Sequence, residues 1–284
     1  MPELPEVETI RSQLERVVKG QRIKQVKVRH KKSFKGGVRE VEGKKIVGVS
    51  RRAKMLVVEL EDGKNLLIHL KMTGQLVYEN KKGRTVGGHP TSDWVKQLPS
   101  KHTRVVLELD KGQLFFNDMR VFGWIKVVDK EGLVREFKDL GPDVNSSGFT
   151  VKHLKEVLES SGRAVKLILL DQKKLAGVGN IYANDGLYCA GVDPRRSGKE
   201  VAKNEEAVRR LFRCLKKVID KGIKYGGATA SDDSFVNTAG LGGKYQKHFL
   251  VYEKEGKKCR RCEGKIKKVK LGGRGTYFCH KCQK

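Results

Sequence analysis

The sequence contains a cysteine pattern that is typical of a metal site. Cys259 and Cys262 are separated by two residues, as are Cys279 and Cys282, and 16 residues lie between the pairs. Two tight turns with this spacing can present four thiolates to one Zn²⁺ ion in a tetrahedral arrangement. The alternative is that the four cysteines form two disulfides, which is typical of secreted proteins. Residues 1–6 disfavour this alternative, because they are acidic and therefore unlike a secretory signal. The pattern therefore predicts one structural zinc ion, since four thiolates leave no position open for catalysis.

A glycine-rich turn, 271–276, lies between the two cysteine pairs and contains a single arginine, Arg274. A guanidinium among glycines suits close approach to phosphate groups, although an ordinary solvent-exposed turn is the competing interpretation. The remaining cysteines, Cys189 and Cys214, lie in helical patterns. We expect both to be buried reduced thiols.

The second residue of the chain is a candidate nucleophile. Initiator methionine is readily removed before a small residue, which would expose Pro2 as a secondary amine. An α-amino group has a pKa of about 7.7–8.0, so a useful fraction is unprotonated at neutral pH, as covalent amine catalysis requires. Glu3 and Glu6 are close enough in sequence to transfer protons for it. Prolines and acidic residues are also ordinary at the start of a helix, so the residues alone leave a structural role open.

Composition narrows the class of partner. The 284 residues include 61 Lys+Arg and 33 Asp+Glu, a formal net charge of +28, and 38% are hydrophobic. A collagen-like or wholly disordered chain is excluded, and no segment approaches the roughly 18 apolar residues of a membrane helix. The excess charge favours a polyanion, and nucleic acid rather than a membrane, because the basic residues are spread along the chain. We expect a soluble intracellular protein.

The hydrophobic pattern predicts strands followed by helices, an α+β fold. A helix is expected over 6–19, and short strands with close turns then favour a sandwich or flattened barrel. The expected strands are 22–30, 45–50, 54–60, 64–70, 102–109 and 113–116, and the later helices are 150–161, 164–171, 180–190 and 205–221. Two polar segments are expected to be loops, an exposed loop or insertion over 79–100 and a mobile loop over 225–243.

Four stretches in this order closely resemble the formamidopyrimidine-DNA glycosylases, which are bifunctional base-excision repair enzymes. They are Pro2–Thr9, Arg51–Lys54, Gly177–Ala183 and the Cys₄ module. The resemblance implies an α+β, multidomain chain with an N-terminal β-sandwich, a helix–two-turn–helix domain and a C-terminal zinc finger. We therefore expect a catalytic sandwich with a leading helix (1–135), a linker (136–149), a DNA-binding domain with a lesion-capping loop (150–243) and a zinc module (244–284).

The resemblance also implies a catalytic group consisting of Pro2, Glu3, Lys54 and Arg274. Pro2 would attack C1′ of the damaged nucleotide, so that the oxidised base departs and an iminium links protein and sugar. Elimination at the β and then the δ position would cut the strand. Glu3 would act as general acid and base, Lys54 would lie near the lesion's phosphate and base, and Glu6 would anchor the N-terminal segment.

For DNA binding, the resemblance implies that Met72, Arg120 and Phe122 fill the space left by an extruded nucleotide. His102, Asn180 and Arg274 would contact the backbone, and phosphate contacts position a strand without reading its sequence. The segment around Arg120 departs from the family pattern, because Met119 replaces a proline and Val121 replaces a second arginine.

Two alternative functions remain open. One is the related endonuclease VIII-like branch, which acts on oxidised pyrimidines, although Leu4 and the residues after it favour oxidised purines such as 8-oxoguanine and formamidopyrimidines. The other is a non-catalytic DNA- or RNA-binding zinc protein, which would apply if Met1 were retained and acylated the nitrogen of Pro2. The expected partner is double-stranded DNA with oxidised bases, bound by a monomer in a bacterial-type cytoplasm and not at a membrane.

Overall fold

The structure, a computed structural model of the chain, describes residues 1–88, 97–228 and 243–284. The chain divides into two units, one built from Met1–Lys138 with Tyr225–Gln246 and the other from Asp139–Lys224 with Lys247–Lys284. The predicted lesion-capping and mobile loop lies largely in 229–242, outside the described residues, as does the 89–96 part of the predicted insertion. No helix in the described ranges has the length and apolar character that crossing a bilayer requires.

The first unit begins with helix α1, Leu4–Val18, close to the predicted helix. Its apolar residues recur at helical spacing, and Val7, Ile10, Leu14 and Val18 are all buried. They join a hydrophobic core that includes residues from both of the sheets described next. The N-terminal residues are therefore held against a rigid core.

Two five-stranded sheets form most of the rest of the described part of this unit. One has the order β1-β8-β9-β6-β7 and the other β2-β10-β5-β4-β3, and all neighbours are antiparallel except β2 and β10. The strands are β1 Ile23–Val28, β2 Phe34–Lys35, β3 Ile46–Arg52, β4 Met55–Leu60, β5 Asn65–His69, β6 Gly74–Asn80, β7 Gly83–Gly88, β8 Thr103–Leu109, β9 Gly112–Asp118 and β10 Trp124–Val128. Short 3₁₀ turns occur at Lys31–Ser33 and Val38–Glu40. The predicted sandwich is present.

The prediction of a loop beginning at residue 79 was wrong for its described first half. Strand β6 continues to Asn80 and β7 returns along it, with Glu79 opposite Arg84 and Tyr78 opposite Thr85. The glycines and charges of this segment resemble those of a loop, but antiparallel pairing with an existing sheet makes it an edge strand.

The second unit is helical, as predicted. Its helices are α3 Val151–Glu159, α4 Val165–Leu169, α5 Asn180–Ala190, α6 Gly198–Ala202 and α7 Glu205–Lys224. Two of the described helices were not predicted, the short α6 and α2, Lys130–Phe137, which lies at the end of the Met1–Lys138 segment of the first unit. Helices α5 and α7 pack closely, and a Cβ added to Gly186 of α5 would lie only 2.7 Å from the Leu215 side chain of α7.

The C-terminal module is a small hairpin. Strands β11, Ile266–Leu271, and β12, Arg274–Cys279, pair antiparallel in continuous register. A 3₁₀ turn at Tyr245–His248 precedes the hairpin in the chain. Arg274 is therefore the first residue of β12, directly after the two-glycine turn at Gly272 and Gly273.

Candidate functional site

The N-terminal segment is held by a buried carboxylate. Pro2 is buried, and Glu3 is the N-cap of α1 in an extended conformation. The Glu6 side chain, only 2% exposed, accepts hydrogen bonds at both oxygens, from the Glu3 amide at 2.9 Å and the Ala228 amide at 2.7 Å. Because two amide donors stabilise a buried carboxylate, Glu6 can fix the backbone next to Pro2.

The same carboxylate lies at the base of the 229–242 segment. The two described ends of that segment are joined by backbone hydrogen bonds, from Lys244 to the Tyr225 carbonyl at 2.9 Å and from Tyr245 to the Gly227 carbonyl at 3.0 Å. Gly227 has φ +82°, and a Cβ there would be 2.8 Å from the Glu6 side chain. Residue 227 must therefore be glycine, because φ is positive and because a Cβ would clash with the Glu6 side chain.

Lys54 lies in the two-residue turn between β3 and β4 and is buried. The preceding residue, Ala53, has φ +54°, an unfavourable conformation for a residue with a side chain. Arg51 supports the turn, because its guanidinium donates to the Glu8 carboxylate of α1 at 2.9 Å and to the Ala53 carbonyl at 2.8 Å. One side chain thus connects the helix that follows Pro2 with the turn that carries Lys54.

His69, at the end of β5, lies close to two lysines. Burial and the charges of Lys71 and Lys54 lower its pKa to about 3, so the imidazole is neutral at neutral pH. Its Nδ1 accepts the Lys71 amide at 3.0 Å, which leaves the proton on Nε2. Neutral His69 therefore offers an N–H donor beside Lys54.

Two turns at one end of the sandwich carry the predicted DNA-filling side chains. Met72 lies in the turn between β5 and β6, where Lys71 has φ +53°. Phe122 lies in the turn between β9 and β10, where Val121 has φ +56°. A β-branched residue in this conformation is a genuine outlier and indicates that surrounding contacts impose the turn.

The second of these turns projects apolar surface into solvent. Phe122 is 53% exposed and Met119 is 45% exposed. The exposed Arg120 places its guanidinium 4.9 Å from the centre of the Phe122 ring. An aromatic ring with a stacked guanidinium is suited to contact with stacked bases.

The structure brings His102 to the same end of the unit. Its carbonyl accepts the Asp118 amide at 2.9 Å, and Asp118 begins the Arg120 turn. Asp118 itself is a buried carboxylate that sequence reasoning missed, because an aspartate before a turn usually indicates only a turn.

In the helical unit, Asn180 is the first residue of α5, and Gly179 is the N-cap. The loop before it is held by Gln172, whose side chain accepts the Gly177 amide at 3.0 Å and donates to the Val178 carbonyl at 2.9 Å. The start of a helix is a favourable place for a phosphate, because the helix dipole is positive there. Asn180 is half-buried at this position.

Arg274 is exposed at the hairpin tip, and its neighbours are held by a buried lysine. The Lys166 ammonium, from α4, donates to the Gly275 carbonyl at 2.8 Å and to the Thr276 hydroxyl at 2.7 Å. Lys166 is fully buried. Sequence reasoning missed it because a single lysine in a chain with this much basic charge gives no signal.

The four predicted metal ligands converge. The Sγ atoms of Cys259, Cys262, Cys279 and Cys282 all lie within 4.8 Å of one another. Three of the sulfur pairs are 3.2, 3.6 and 3.7 Å apart. Zn–S bonds of about 2.3 Å place tetrahedral sulfurs about 3.8 Å apart, so the donor set fits Zn²⁺.

The zinc module is attached to α5 by buried polar side chains. The Asp185 carboxylate accepts the backbone amides of Leu250, Val251 and Tyr252 at 3.0–3.2 Å. The Asn184 carbonyl oxygen accepts the Tyr277 amide at 2.7 Å. The helix that begins with Asn180 therefore also holds the hairpin whose second strand begins with Arg274.

The expectation of reduced, buried cysteines outside the metal site was wrong. Cys189 on α5 and Cys214 on α7 form a disulfide, with a Cα–Cα distance of 5.6 Å, and both are half-buried. The sequence shows each cysteine in its own helix, and only the packing of the two helices brings the sulfurs together.

Family comparisons define the class of protein. Three family models match the chain in order, the formamidopyrimidine-DNA glycosylase N-terminal domain over 1–125, the H2TH domain of the same enzymes over 140–234, and a zinc finger found in FPG and IleRS over 256–284. These three modules are those of a DNA glycosylase with a helix–two-turn–helix domain. The zinc-finger match and the four-sulfur cluster together support a structural zinc site.

The relatives make the assignment specific. The chain is 38% identical to the formamidopyrimidine-DNA glycosylase of Pelotomaculum thermopropionicum, covering 100% of this chain and 99% of the relative. The solved MutM (Fpg) structure from Thermus thermophilus superposes with a TM-score of 0.85 at 37% identity, covering 99% and 98% of the two chains. A Lactococcus lactis Fpg variant, solved with DNA containing Fapy-dG, has a TM-score of 0.87 at 32% identity over both full chains. The chain therefore belongs to the formamidopyrimidine-DNA glycosylase family of DNA repair enzymes, which confirms the predicted resemblance, fold class and enzyme class.

Proposed function

We propose that this enzyme removes oxidised purines, such as 8-oxoguanine and formamidopyrimidines, from duplex DNA and cuts the strand by β,δ-elimination. The observation that carries the proposal is the N-terminal arrangement. Pro2 is buried directly before helix α1. The Glu6 carboxylate fixes the start of this helix by accepting the Glu3 amide. Arg51 connects the helix to the turn that carries Lys54. The solved Lactococcus lactis complex with Fapy-dG DNA adds support for the substrate class.

The proposed reaction uses the amine of Pro2, once Met1 has been removed, as a covalent catalyst. A bond forms between the nitrogen and C1′, the bond from C1′ to the base breaks, and opening of the sugar gives an iminium. The positive iminium acidifies the C2′ proton, so that removal of this proton expels the 3′ phosphate. A second elimination expels the 5′ phosphate, and hydrolysis frees the amine.

Neighbouring groups supply the proton transfers and the charge stabilisation. Glu3, buried next to Pro2, is the proposed general acid and base. Lys54 is the proposed cation beside the lesion's phosphate, with His69 as a neutral donor next to it. Arg274 is the fourth member of the proposed catalytic group, and we assign it to the second elimination.

DNA is held by side chains at the turns. We assign Met72, Arg120 and Phe122 to the space that an extruded nucleotide leaves, since Phe122 is exposed and stacked by Arg120. His102, Asn180 and Arg274 are assigned to the phosphate backbone. A single zinc ion, bound by Cys259, Cys262, Cys279 and Cys282, would hold the Arg274 hairpin, and the net charge of +28 favours binding to any duplex sequence.

The protein is proposed to act as a monomer on DNA in the bacterial cytoplasm. The four-part division into a sandwich (1–135), a linker (136–149), a helical domain with a capping loop (150–243) and a zinc module (244–284) is proposed as its functional organisation.

Borohydride trapping tests the proposal directly. Protein whose intact mass shows that Met1 is absent is incubated with an 8-oxoguanine:C duplex and sodium borohydride, which should reduce the iminium to a stable adduct. Pro2→Gly should lower the adduct yield at least tenfold. An undiminished adduct in the variant would place the nucleophile elsewhere, and faster cleavage of a thymine glycol:A duplex would favour the oxidised-pyrimidine branch.

A further inference from the structure

One buried carboxylate connects the two turns that carry the proposed DNA-filling side chains. Asp118, 0% exposed at the end of β9, accepts the Thr73 hydroxyl and the Arg120 amide at Oδ1, the latter at 3.3 Å. Its Oδ2 accepts the Gly123 amide at 2.6 Å. The Arg120 amide also reaches the Thr73 hydroxyl oxygen, at 3.1 Å.

These bonds join parts of the chain that are distant in sequence. Thr73 follows Met72 in the first turn, while Arg120 and Gly123 bracket the second. The backbone of Asp118 is fixed as well, because its amide donates to the His102 carbonyl at 2.9 Å and its carbonyl accepts the Arg104 guanidinium at 2.7 Å. The carboxylate therefore has a fixed location from which it orients both turns.

Each turn includes a residue in an unfavourable conformation, Lys71 at φ +53° and Val121 at φ +56°. Such conformations persist only where surrounding contacts impose them. A charged acceptor that bonds the second turn at both ends, and the first through Thr73, provides such contacts.

We propose that Asp118 is a positioning residue that sets the spacing between the Met72 turn and the Arg120–Phe122 turn. Both turns then enter the duplex as one rigid unit. The inference rests on the proposed function, because it assigns Asp118 to the step that extrudes the nucleotide and not to the bond-breaking chemistry. Side chains that act together must be held within about 0.5 Å of their working geometry.

The experiment compares two substrates that differ in the need for extrusion. An 8-oxoguanine:C duplex requires the vacated stack to be filled, whereas a single-stranded oligonucleotide with an abasic site does not. Asp118→Asn keeps the size of the side chain but replaces one acceptor by a donor. It should lower kcat/KM on the duplex at least tenfold and change borohydride trapping of the single strand less than twofold.

Thr73→Val provides a second variant that removes only the bridging hydroxyl, so the test stands even if Asp118→Asn does not fold. It should shift the ratio of duplex to single-strand activity in the same direction. In both variants, 2-aminopurine placed beside the lesion should show a smaller fluorescence rise on binding, which a purely structural role would not produce in folded protein.

Gln21→Leu is the matched control. Gln21 is a buried side chain of the same unit, bonded to the Tyr78 hydroxyl at 2.8 Å and the Lys111 amide at 2.9 Å, away from both turns. It should keep the wild-type activity ratio. A wild-type ratio in folded Asp118→Asn or Thr73→Val, or parallel loss on both substrates, would overturn the inference, whereas wild-type protein inactive on both substrates would refute the repair function itself.

Discussion

In the strand-built unit, an apolar cluster lies between two sheets and α1, and it includes 24 buried residues among those that the structure describes. Around the zinc module, the corresponding cluster has five buried residues among those that the structure describes, namely Tyr188 of α5 and four of the module, of which Cys259 and Cys279 are predicted metal ligands. The sandwich can therefore position Lys54, Met72 and Phe122 from a packed core. The hairpin that presents Arg274 depends on cross-links, namely the metal site and the polar bonds from Lys166, Asn184 and Asp185. The two regions should respond differently when single contacts are removed.

The largest expected effect on DNA binding comes from breaking the metal site. Cys279→Ser, or removal of zinc by a chelator, should weaken binding to an 8-oxoguanine:C duplex by 10- to 100-fold, because the small core of the hairpin cannot hold Arg274 without the metal. Binding is measured by fluorescence anisotropy at fixed salt, with zinc content checked by mass spectrometry.

The same variant should trap single-stranded abasic DNA at the wild-type rate, since Pro2 lies in the other unit. Unchanged duplex affinity in zinc-free protein would contradict the role of the hairpin. Loss of trapping as well would show that the two regions do not respond separately.

The disulfide between α5 and α7 gives a second comparison. The double substitution Cys189→Ser and Cys214→Ser should lower the free energy of unfolding by about 2–4 kcal/mol, because a cross-link restricts the unfolded chain. Urea unfolding followed by circular dichroism measures this change. Maleimide labelling of two additional thiols in the native wild-type protein would contradict the bond.

The smallest expected effect is a pH dependence in the strand-built unit. Burial and the charges of Lys71 and Lys54 hold the pKa of His69 at about 3, below the ordinary value of 6.5. Between these two pH values, His69 is therefore protonated in the unfolded chain and neutral in the folded chain. The stabilisation from neutral His69 is complete above pH 6.5 and is lost as the pH falls toward 3. Between pH 6.5 and 5 the loss should be about 2 kcal/mol.

His69→Asn retains an acceptor for the Lys71 amide and should flatten this dependence in urea unfolding measured at the two pH values. His280→Gln, an exposed histidine of the zinc module, controls for the loss of a histidine as such. The same slope in His69→Asn and wild type would contradict the assignment.

Features that depend on local sequence were predictable. Helix α1 followed from the spacing of Val7, Ile10 and Leu14, and the metal site followed from two cysteine pairs, because each pair forms within one turn of chain. The close turn between the predicted strands 54–60 and 64–70 was also confirmed, since β4 and β5 pair antiparallel. In these cases the interacting residues are close together in the chain.

Features that depend on long-range packing were not predictable. The disulfide requires α5 to lie against α7, and β7 requires a sheet edge with which to pair. Lys166 and Asp118 look like surface residues in sequence, and only the fold shows that each is buried and bonded to a distant turn. A buried charged side chain must be paired, so burial would have indicated that these two residues have partners. A single sequence does not show which charged residues are buried.

Ala53, Lys71 and Val121 share the left-handed backbone, and each directly precedes a proposed DNA-contacting residue, namely Lys54, Met72 and Phe122. Replacing such residues with glycine usually relieves strain, so a selection for heat resistance would enrich for glycine at all three. The selected variants would be more stable, but the turns that carry the proposed DNA-contacting side chains would be held less rigidly. For this enzyme, thermostability engineering should therefore leave these three positions unchanged and look for improvement elsewhere in the sandwich.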